Sequence, residues 1–504
     1  MLYTGELKDG LPIGKAMPRI LTPEQLGKER VSGFYQTPRL TVEYICRQIR
    51  SHYRPGWKIL DPAVGDGVFL RALRTSGVAV EDLSGFDIDE AQVAALQGEF
   101  PGVQVFDATK PFPEQYDFIL GNPPYQGDES HFVRAHRLRL KKQFAEVGAR
   151  NTYSMIVYQA VKALKPGGIL AMILPDSFLT NIYYRKFRLF LLANCELREL
   201  LLSPWKLFHH HAADVRTCIL TARRKPGKEA GEGANRVRLV DRVESEEEYG
   251  APRKVEYLPQ REFHNYPNTA FLIGLPEQIR RIYLQDEVRL GDIALGGTGI
   301  STGNDRRFLR RREEVAGDPA WVPYYKNGAR RAYWYEPEYY IERDYRPYAK
   351  QVSNYLVRNE KFFFQEGISC SSVGVRFSAA YMPPGGLFGV NSNFFFADRE
   401  TLFYVLGYLN SKLAWYFARK ILARSNNISA NYLRLMPYRE PERAKKAAIT
   451  RQVEGIVAVL QQNSAFDFTP VQARLDEEFY HLFALAPESI EEIEDFCANF
   501  YQRL

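Results

Sequence analysis

The sequence predicts an α/β fold: an open, mostly parallel sheet covered by helices on both faces, followed by a mixed α+β unit and C-terminal helices. Three observations predict it. From about Gly33 to Arg224 short β-like runs alternate with helical stretches, the order that builds a parallel sheet. Beyond about residue 289 this alternation gives way to aromatic, arginine-rich sequence such as YKNGARRAYWYEPEYYIERDYRPY. From about Ala444 onward apolar residues return at helical spacing.

In chain order, residues 1–30 are an arm without a periodic pattern, and 31–225 hold the α/β unit. Within it WKILDPAV reads as a buried strand running into a turn. DLSGFDID, YDFILGNPP and GGILAMILP follow as strands. The last is preceded by the helical YSMIVYQAVKALKPGG, whose Pro-Gly-Gly is expected to stop the helix. The polar, Gly- and Ala-rich PGKEAGEGAN opens a linker and connecting region over 226–288. Residues 289–440 form the mixed unit and 441–504 a helical segment.

The chain has 504 residues, which exceeds what one hydrophobic core usually serves. Its 45% hydrophobic and 25% charged content is that of a soluble protein, and no stretch approaches the roughly 20 apolar residues of a membrane span. The N-terminus lacks the basic-then-apolar layout of a signal peptide, so a cytoplasmic location is expected. Five scattered cysteines, without a C-x-x-C pair, argue against zinc or a disulfide framework. His209, His210 and His211 are adjacent and cannot readily converge on one ion, so no metal site is expected. The net charge of +7 is modest, but Arg306, Arg307, Arg310, Arg311 and Arg312 cluster, which suits a polyanion or a solvated face.

The chemistry-bearing residues sit at successive strand ends. Asp61-Pro62-Ala63-Val64-Gly65-Asp66-Gly67 is a glycine-containing turn at a strand's carboxyl end, where open α/β sheets bind ligands. About 20 residues past the glycines, Asp87 ends the next strand and can accept ribose hydroxyls or cap a helix. Asp107 supplies a third carboxylate, either for an adenine amine or for a turn. Strand YDFILG then runs directly into Asn122-Pro123-Pro124-Tyr125. An amine conjugated to an aromatic ring is a poor nucleophile, because its lone pair is delocalised. A catalyst must aim acceptors at the amine hydrogens. The Asn122 side-chain oxygen and the Pro123 carbonyl fit that task, the two prolines stiffen the backbone, and Tyr125 offers a face for a planar base.

The order GFYQTP, DPAVGDGVF, FDID, FDA, NPPY resembles the gamma class, or Taq-type, DNA adenine-N6 methyltransferases of restriction-modification systems, motif by motif over roughly residues 31 to 224. The resemblance implies a Rossmann-like S-adenosylmethionine-dependent methyltransferase domain. It implies S-adenosyl-L-methionine as cofactor, held by Thr37, Asp61, Ala63, Gly65, Asp87 and Asp107. Catalysis is implied at Asn122, Pro123, Pro124 and Tyr125, with Phe208 stacking on the far face of an extruded base. Segments GGTGISTGNDRRFL, LGYLNSKLAWYFAR and YLRLMPYREP resemble, more patchily, the target-recognition domains that follow such catalytic domains.

Double-stranded DNA is therefore the expected partner, gripped by Arg306, Arg307, Arg310, Arg311 and Arg312, with base flipping implied. No acidic constellation marks an attached nuclease, which leaves room for a separate cognate restriction endonuclease. The same NPPY solves the same problem for a glutamine side-chain amide, so a protein-glutamine N5 methyltransferase stays open as the alternative. An RNA adenine or DNA cytosine-N4 enzyme stays open too. The glutamine enzymes are shorter and lack a large basic, aromatic unit after the catalytic one. The recognition sequence and the oligomeric state are not written in these residues.

Overall fold

The computed structural model describes residues 36–205, 207–208, 215–227, 235–326, 328–371, 377–422 and 428–499. A nine-stranded sheet organises the first half, in the order β3-β2-β1-β4-β5-β7-β6-β8-β9. The strands are β1 (Ile59–Asp61), β2 (Leu83–Asp87), β3 (Val103–Val105), β4 (Tyr116–Gly121), β5 (Leu164–Pro175), β6 (Cys195–Leu202), β7 (Thr217–Arg224), β8 (Arg236–Val240) and β9 (Val255–Pro259). Strands β3, β2, β1, β4 and β5 are mutually parallel, whereas β7 runs antiparallel to both its neighbours.

The chain moves outward in one direction from β1 to β3 and in the other from β4, so the crevice beyond the carboxyl ends of β1 and β4 is the switch point at which such sheets bind ligands. Side chains alternate across the sheet with the period of two that pleating imposes. On β4, Phe118 and Leu120 enter the core on one face while Ile119 enters the other. Ile59 and Leu60 of β1 divide in the same way. The helix Arg39–Arg50 covers the first face with Val42, Ile45, Cys46 and Ile49. The almost wholly buried helix Thr152–Ala163 covers the second.

Two sequence expectations change here. Pro166, Gly167 and Gly168 do not follow the helix as a stop; the helix ends at Ala163, and these residues lie inside β5. The pairing with β4 shifts register there, from Tyr116 opposite Leu164 to Phe118 opposite Ile169. The region 226–288 is more than a linker. β8 joins β6 in parallel and β9 closes the sheet antiparallel to β8, because Val237 and Leu239 point into the core between Arg236 and Arg238.

The mixed unit contains two four-stranded sheets, built from β10 (Leu295–Gly297), β11 (Leu309–Arg311), β12 (Trp321–Tyr325), β13 (Tyr339–Glu342), β14 (Gly367–Cys370), β15 (Ala379–Met382), β16 (Leu387–Phe388) and β17 (Ser392–Phe395). Their orders are β10-β17-β14-β15 and β11-β13-β12-β16. An aromatic core of Phe308, Tyr324, Tyr325, Tyr345, Phe388 and Phe395 lies between them. The expected boundary at residue 440 divides a packed pair, since the helix Arg399–Asn410 lies against the helix Arg443–Gln462 closely enough that a Cβ on Gly407 would meet Val453 at 2.9 Å. These helices share one hydrophobic core with the catalytic-side sheet. Among the described residues no helix is long and apolar enough to cross a membrane.

Candidate active site

Asp61 ends β1 and is 1% exposed. Its Oδ1 accepts the Ala63 N–H at 3.1 Å, while its Oδ2 has no hydrogen-bond partner among the described residues. Burial, with repulsion from Asp87 and Asp66 adding to it, pushes the Asp61 carboxyl up to about 7. The neighbouring Asp66 is also raised by burial. A buried, unpartnered carboxylate oxygen beside two further acids suits a ligand that brings positive charge and N–H donors. The ammonium and sulfonium groups of S-adenosylmethionine have that character. Gly121, at the end of β4, has φ +144°, and a Cβ there would lie 2.5 Å from Asp61 Oδ1. Only glycine lets β4 pass this carboxylate.

The turn after β1 is held from β2. Gly65, at φ +49°, donates its N–H to Asp87 Oδ2 at 3.0 Å, and Asp87 Oδ1 accepts the Asp89 N–H at 2.9 Å. Asp87 therefore braces the glycine turn, and ribose hydroxyls would have to use its remaining lone pairs. Asp107 Oδ1 accepts from the Thr109 N–H and hydroxyl at 2.9 and 2.6 Å. Its Oδ2 faces Arg139 at 3.4 Å.

Asn122 leaves β4 beside these acids. Its Nδ2 donates to Thr37 Oγ1 at 3.1 Å, which joins the segment before the helix Arg39–Arg50 to the end of β4. Thr37 is buried. The Tyr125 hydroxyl lies 2.5 Å from Asn122 Oδ1 and 3.1 Å from the Ile173 carbonyl. In this structure, then, the expected acceptor for an amine hydrogen is engaged within the motif. The Tyr125 ring packs edge-on against buried Tyr153, with centroids 6.1 Å apart. The Thr152 hydroxyl donates to the Pro124 carbonyl at 2.5 Å and accepts the Gln126 N–H at 3.0 Å. Hydrogen bonds thus tie Thr37 to Asn122, Asn122 to Tyr125, Asp61 to Ala63 and Gly65 to Asp87 at the carboxyl ends of β1, β2 and β4.

Phe208 behaves differently. It is 1% exposed and belongs to the core cluster that holds Leu207, Ile219 and Val240. It is packed rather than presented, so the stacking role is corrected for this conformation. Trp205, half-buried on the same connection, carries the Arg242 guanidinium 4.5 Å from its ring centre. His209 to His211 lie outside the described residues.

The arginine cluster is also less uniform than its sequence. Arg311 pairs with Glu338 at 2.7 Å, and Arg312 pairs with Glu336. Arg310 is half-buried over Trp321. Arg306 and Arg307 are exposed and make no ion pair among the described residues.

Sequence reasoning missed the residues that anchor the helix following Thr37. Tyr44 donates to Glu199 Oε1 at 2.8 Å, and Arg238 pairs with the same carboxylate. Glu246 accepts from Thr41. No local pattern links positions so far apart.

Comparison with known proteins follows this geometry. The sequence model of the Eco57I restriction-modification methylases matches residues 81–205, which include β2, β4 and Asn122 to Tyr125. The type II methyltransferase M.TthHB8I of Thermus thermophilus is 29% identical over 185 residues, covering 35% of this chain and 39% of that protein. The adenine-specific methyltransferase BrxX of Escherichia coli is 25% identical over 347 residues, covering 62% of this chain and 27% of that one. The chain thus spans less than half the length of either relative. Among solved structures, the type IIL restriction-modification enzyme MmeI in complex with DNA aligns over 95% of this chain and 75% of its own, at TM-score 0.56 and 12% identity. A nuclease-deletion mutant of the type ISP enzyme LlaGI, with a DNA substrate mimic, aligns over 84% and 54%, at TM-score 0.59 and 12% identity. The chain shares with these solved structures the fold of a nine-stranded α/β sheet with a large appended unit, and its segment 81–205 is similar to restriction-modification methylases of the Eco57I type.

Proposed function

We propose that this chain transfers a methyl group from S-adenosylmethionine to the N6 amine of an adenine extruded from double-stranded DNA, as the gamma-class modification component of a restriction-modification system. The observation that carries the reading is the Asn122 carboxamide, held against Thr37 at the switch-point crevice beside the buried, unpartnered Asp61 oxygen. The names of the relatives and the DNA complexes among the structural neighbours support adenine and DNA.

Asp61, Ala63, Gly65, Asp87 and Asp107 would hold the cofactor and Thr37 would border it. When bound, S-adenosylmethionine supplies an electrophilic methyl on a sulfonium. Asn122 Oδ1 and the Pro123 carbonyl accept the two N6 hydrogens, which draws the nitrogen toward a pyramidal form and localises its lone pair for attack. The bound donor would supply its own leaving group, since the C–S electrons would stay on sulfur as the methyl passes to nitrogen. The extra proton on nitrogen leaves to water afterwards, so no general base of matched pKa is required. The Tyr125 hydroxyl takes one lone pair of Asn122 Oδ1 and leaves the second for the amine hydrogen, while the Tyr125 ring offers a face for the base.

Asn122→Ala tests the mechanism: it is expected to bind S-adenosylmethionine like the parent and to lose nearly all methyl transfer to DNA. Radiolabelled transfer and equilibrium binding on the purified protein read the two quantities. Parent-like transfer by the variant would remove the acceptor role.

A further inference from the structure

The helix Arg39–Arg50 begins two residues after Thr37, yet its own sequence does little for its N-terminus. Pro38 occupies the capping position without a side-chain hydrogen bond, and the first turn contains no acidic residue. The exposed partial positive charge of those first N–H groups calls for an acceptor. Glu246 supplies it from the β8–β9 connection, 205 residues away. Its Oε1 accepts the Thr41 N–H at 2.8 Å and the Thr41 hydroxyl at 2.6 Å. Thr41 is fully buried, and its hydroxyl also lies 3.1 Å from that of Tyr249, which belongs to the same connection.

We propose that Glu246 is a positioning residue for methyl transfer: by holding the first turn of this helix it fixes Thr37 against Asn122, and so sets the orientation of the catalytic carboxamide. The helix has a second anchor, Tyr44 with Glu199 and Arg238, one turn further in. That anchor keeps the helix on the sheet; Glu246 governs the end that bears Thr37. The addition of β8 and β9 to the sheet thus acquires a task, since the connection between them delivers the carboxylate to the first turn of this helix. The inference rests on the methyltransferase reading above.

The test compares Glu246→Ala, Glu246→Gln and Thr41→Val with the parent, using S-adenosylmethionine binding, kcat and KM for DNA, and thermal unfolding. Glu246→Ala is expected to lower kcat by about tenfold or more while leaving KM for DNA unchanged, because a small displacement of a reacting geometry is costly. Glu246→Gln retains an acceptor oxygen and is expected to restore most of that loss. Thr41→Val removes the hydroxyl contact, keeps the N–H contact, and is expected to fall between them. A purely structural role would lower the unfolding temperature without separating kcat from KM. Parent-like kcat in folded Glu246→Ala, or equal loss in the Ala and Gln variants, would overturn the proposal. If Glu246→Ala does not fold, parent-like kcat in Thr41→Val overturns it. Failure of the parent itself to methylate DNA would remove the functional reading instead, and the dissociation constant for S-adenosylmethionine would still decide the tether, expected to be about fivefold weaker in Glu246→Ala for the loss of one net hydrogen bond.

Discussion

Replacing Asp61 by Asn separates what this residue costs the fold from what it gives the site. The carboxyl ordinarily titrates at 3.8 and is pushed up to about 7 by burial. Between those values the native state holds a proton that the unfolded chain has released, so stability falls as pH rises through this window and the loss is complete above about pH 7. At about 1.4 kcal/mol per tenfold change in proton affinity, the whole penalty is roughly 4 kcal/mol, of which about 2 kcal/mol accrues between pH 5 and pH 7 and about 3 kcal/mol by pH 8. Asparagine keeps the acceptor for the Ala63 N–H, carries no charge, and leaves a buried amide donor costing about 1–3 kcal/mol at every pH. Urea unfolding of cofactor-free parent and variant at pH 5 and pH 8 measures the difference. The stability of Asp61→Asn relative to the parent is expected to rise by about 3 kcal/mol from the lower to the higher pH. The same variant should lose measurable S-adenosylmethionine binding by calorimetry. A relative stability that is the same at both pH values would refute the account of Asp61 as a carboxyl raised by burial and lacking a donor.

Two more outcomes follow from the site and the surface. Tyr125→Phe removes the hydroxyl that engages Asn122 but keeps the ring, so methyl transfer should stay within about threefold of the parent, whereas Tyr125→Ala should lose on the order of a hundredfold by steady-state rates. Equal loss in both would assign the hydroxyl, rather than the ring, to the reaction. Replacing Arg306 and Arg307 together with Ala should reduce the slope of log binding constant against log salt by about 2, because neither forms an ion pair with a carboxylate among the described residues. Replacing Arg311 and Arg312 should reduce it less, since Glu338 and Glu336 already pair with them. The reverse ranking in a salt titration would refute the assignment of Arg306 and Arg307 as the stronger phosphate contacts.

The parts of the site legible from residues alone are those in which chemistry and backbone lie in one short run. Asp61 to Gly67, Asp87 and Asn122 to Tyr125 each sit at a strand's end, and strand ends are written in local hydrophobic pattern. The parallel core of the sheet was readable for the same reason. Short amphipathic strands were not: RVRLV of β8 alternates arginine with aliphatic residues after a polar stretch and resembles a connector until it pairs with β6. Phe208 was placed by its motif, but burial depends on the surrounding sheet. The charge of Arg311 and Arg312 was counted without Glu338 and Glu336, which stand more than 20 residues further along and across a strand. Glu246 carried no signal at all, because a hydrogen bond spanning 205 residues leaves no period or spacing in a single sequence.

That same span has a consequence for how the protein is made. The first turn of the helix Arg39–Arg50 receives its acceptor only from residue 246, and Tyr44 receives its partners from Glu199 and Arg238. Contacts of such sequence separation form late, after much loop entropy has been given up. During vectorial synthesis the glycine turn and Asn122 emerge early, but the arm that sets Thr37 beside them cannot lock until half of the polypeptide has left the ribosome. Under the proposed function, competence for methyl transfer would wait for the β8–β9 connection rather than for the appearance of the motifs.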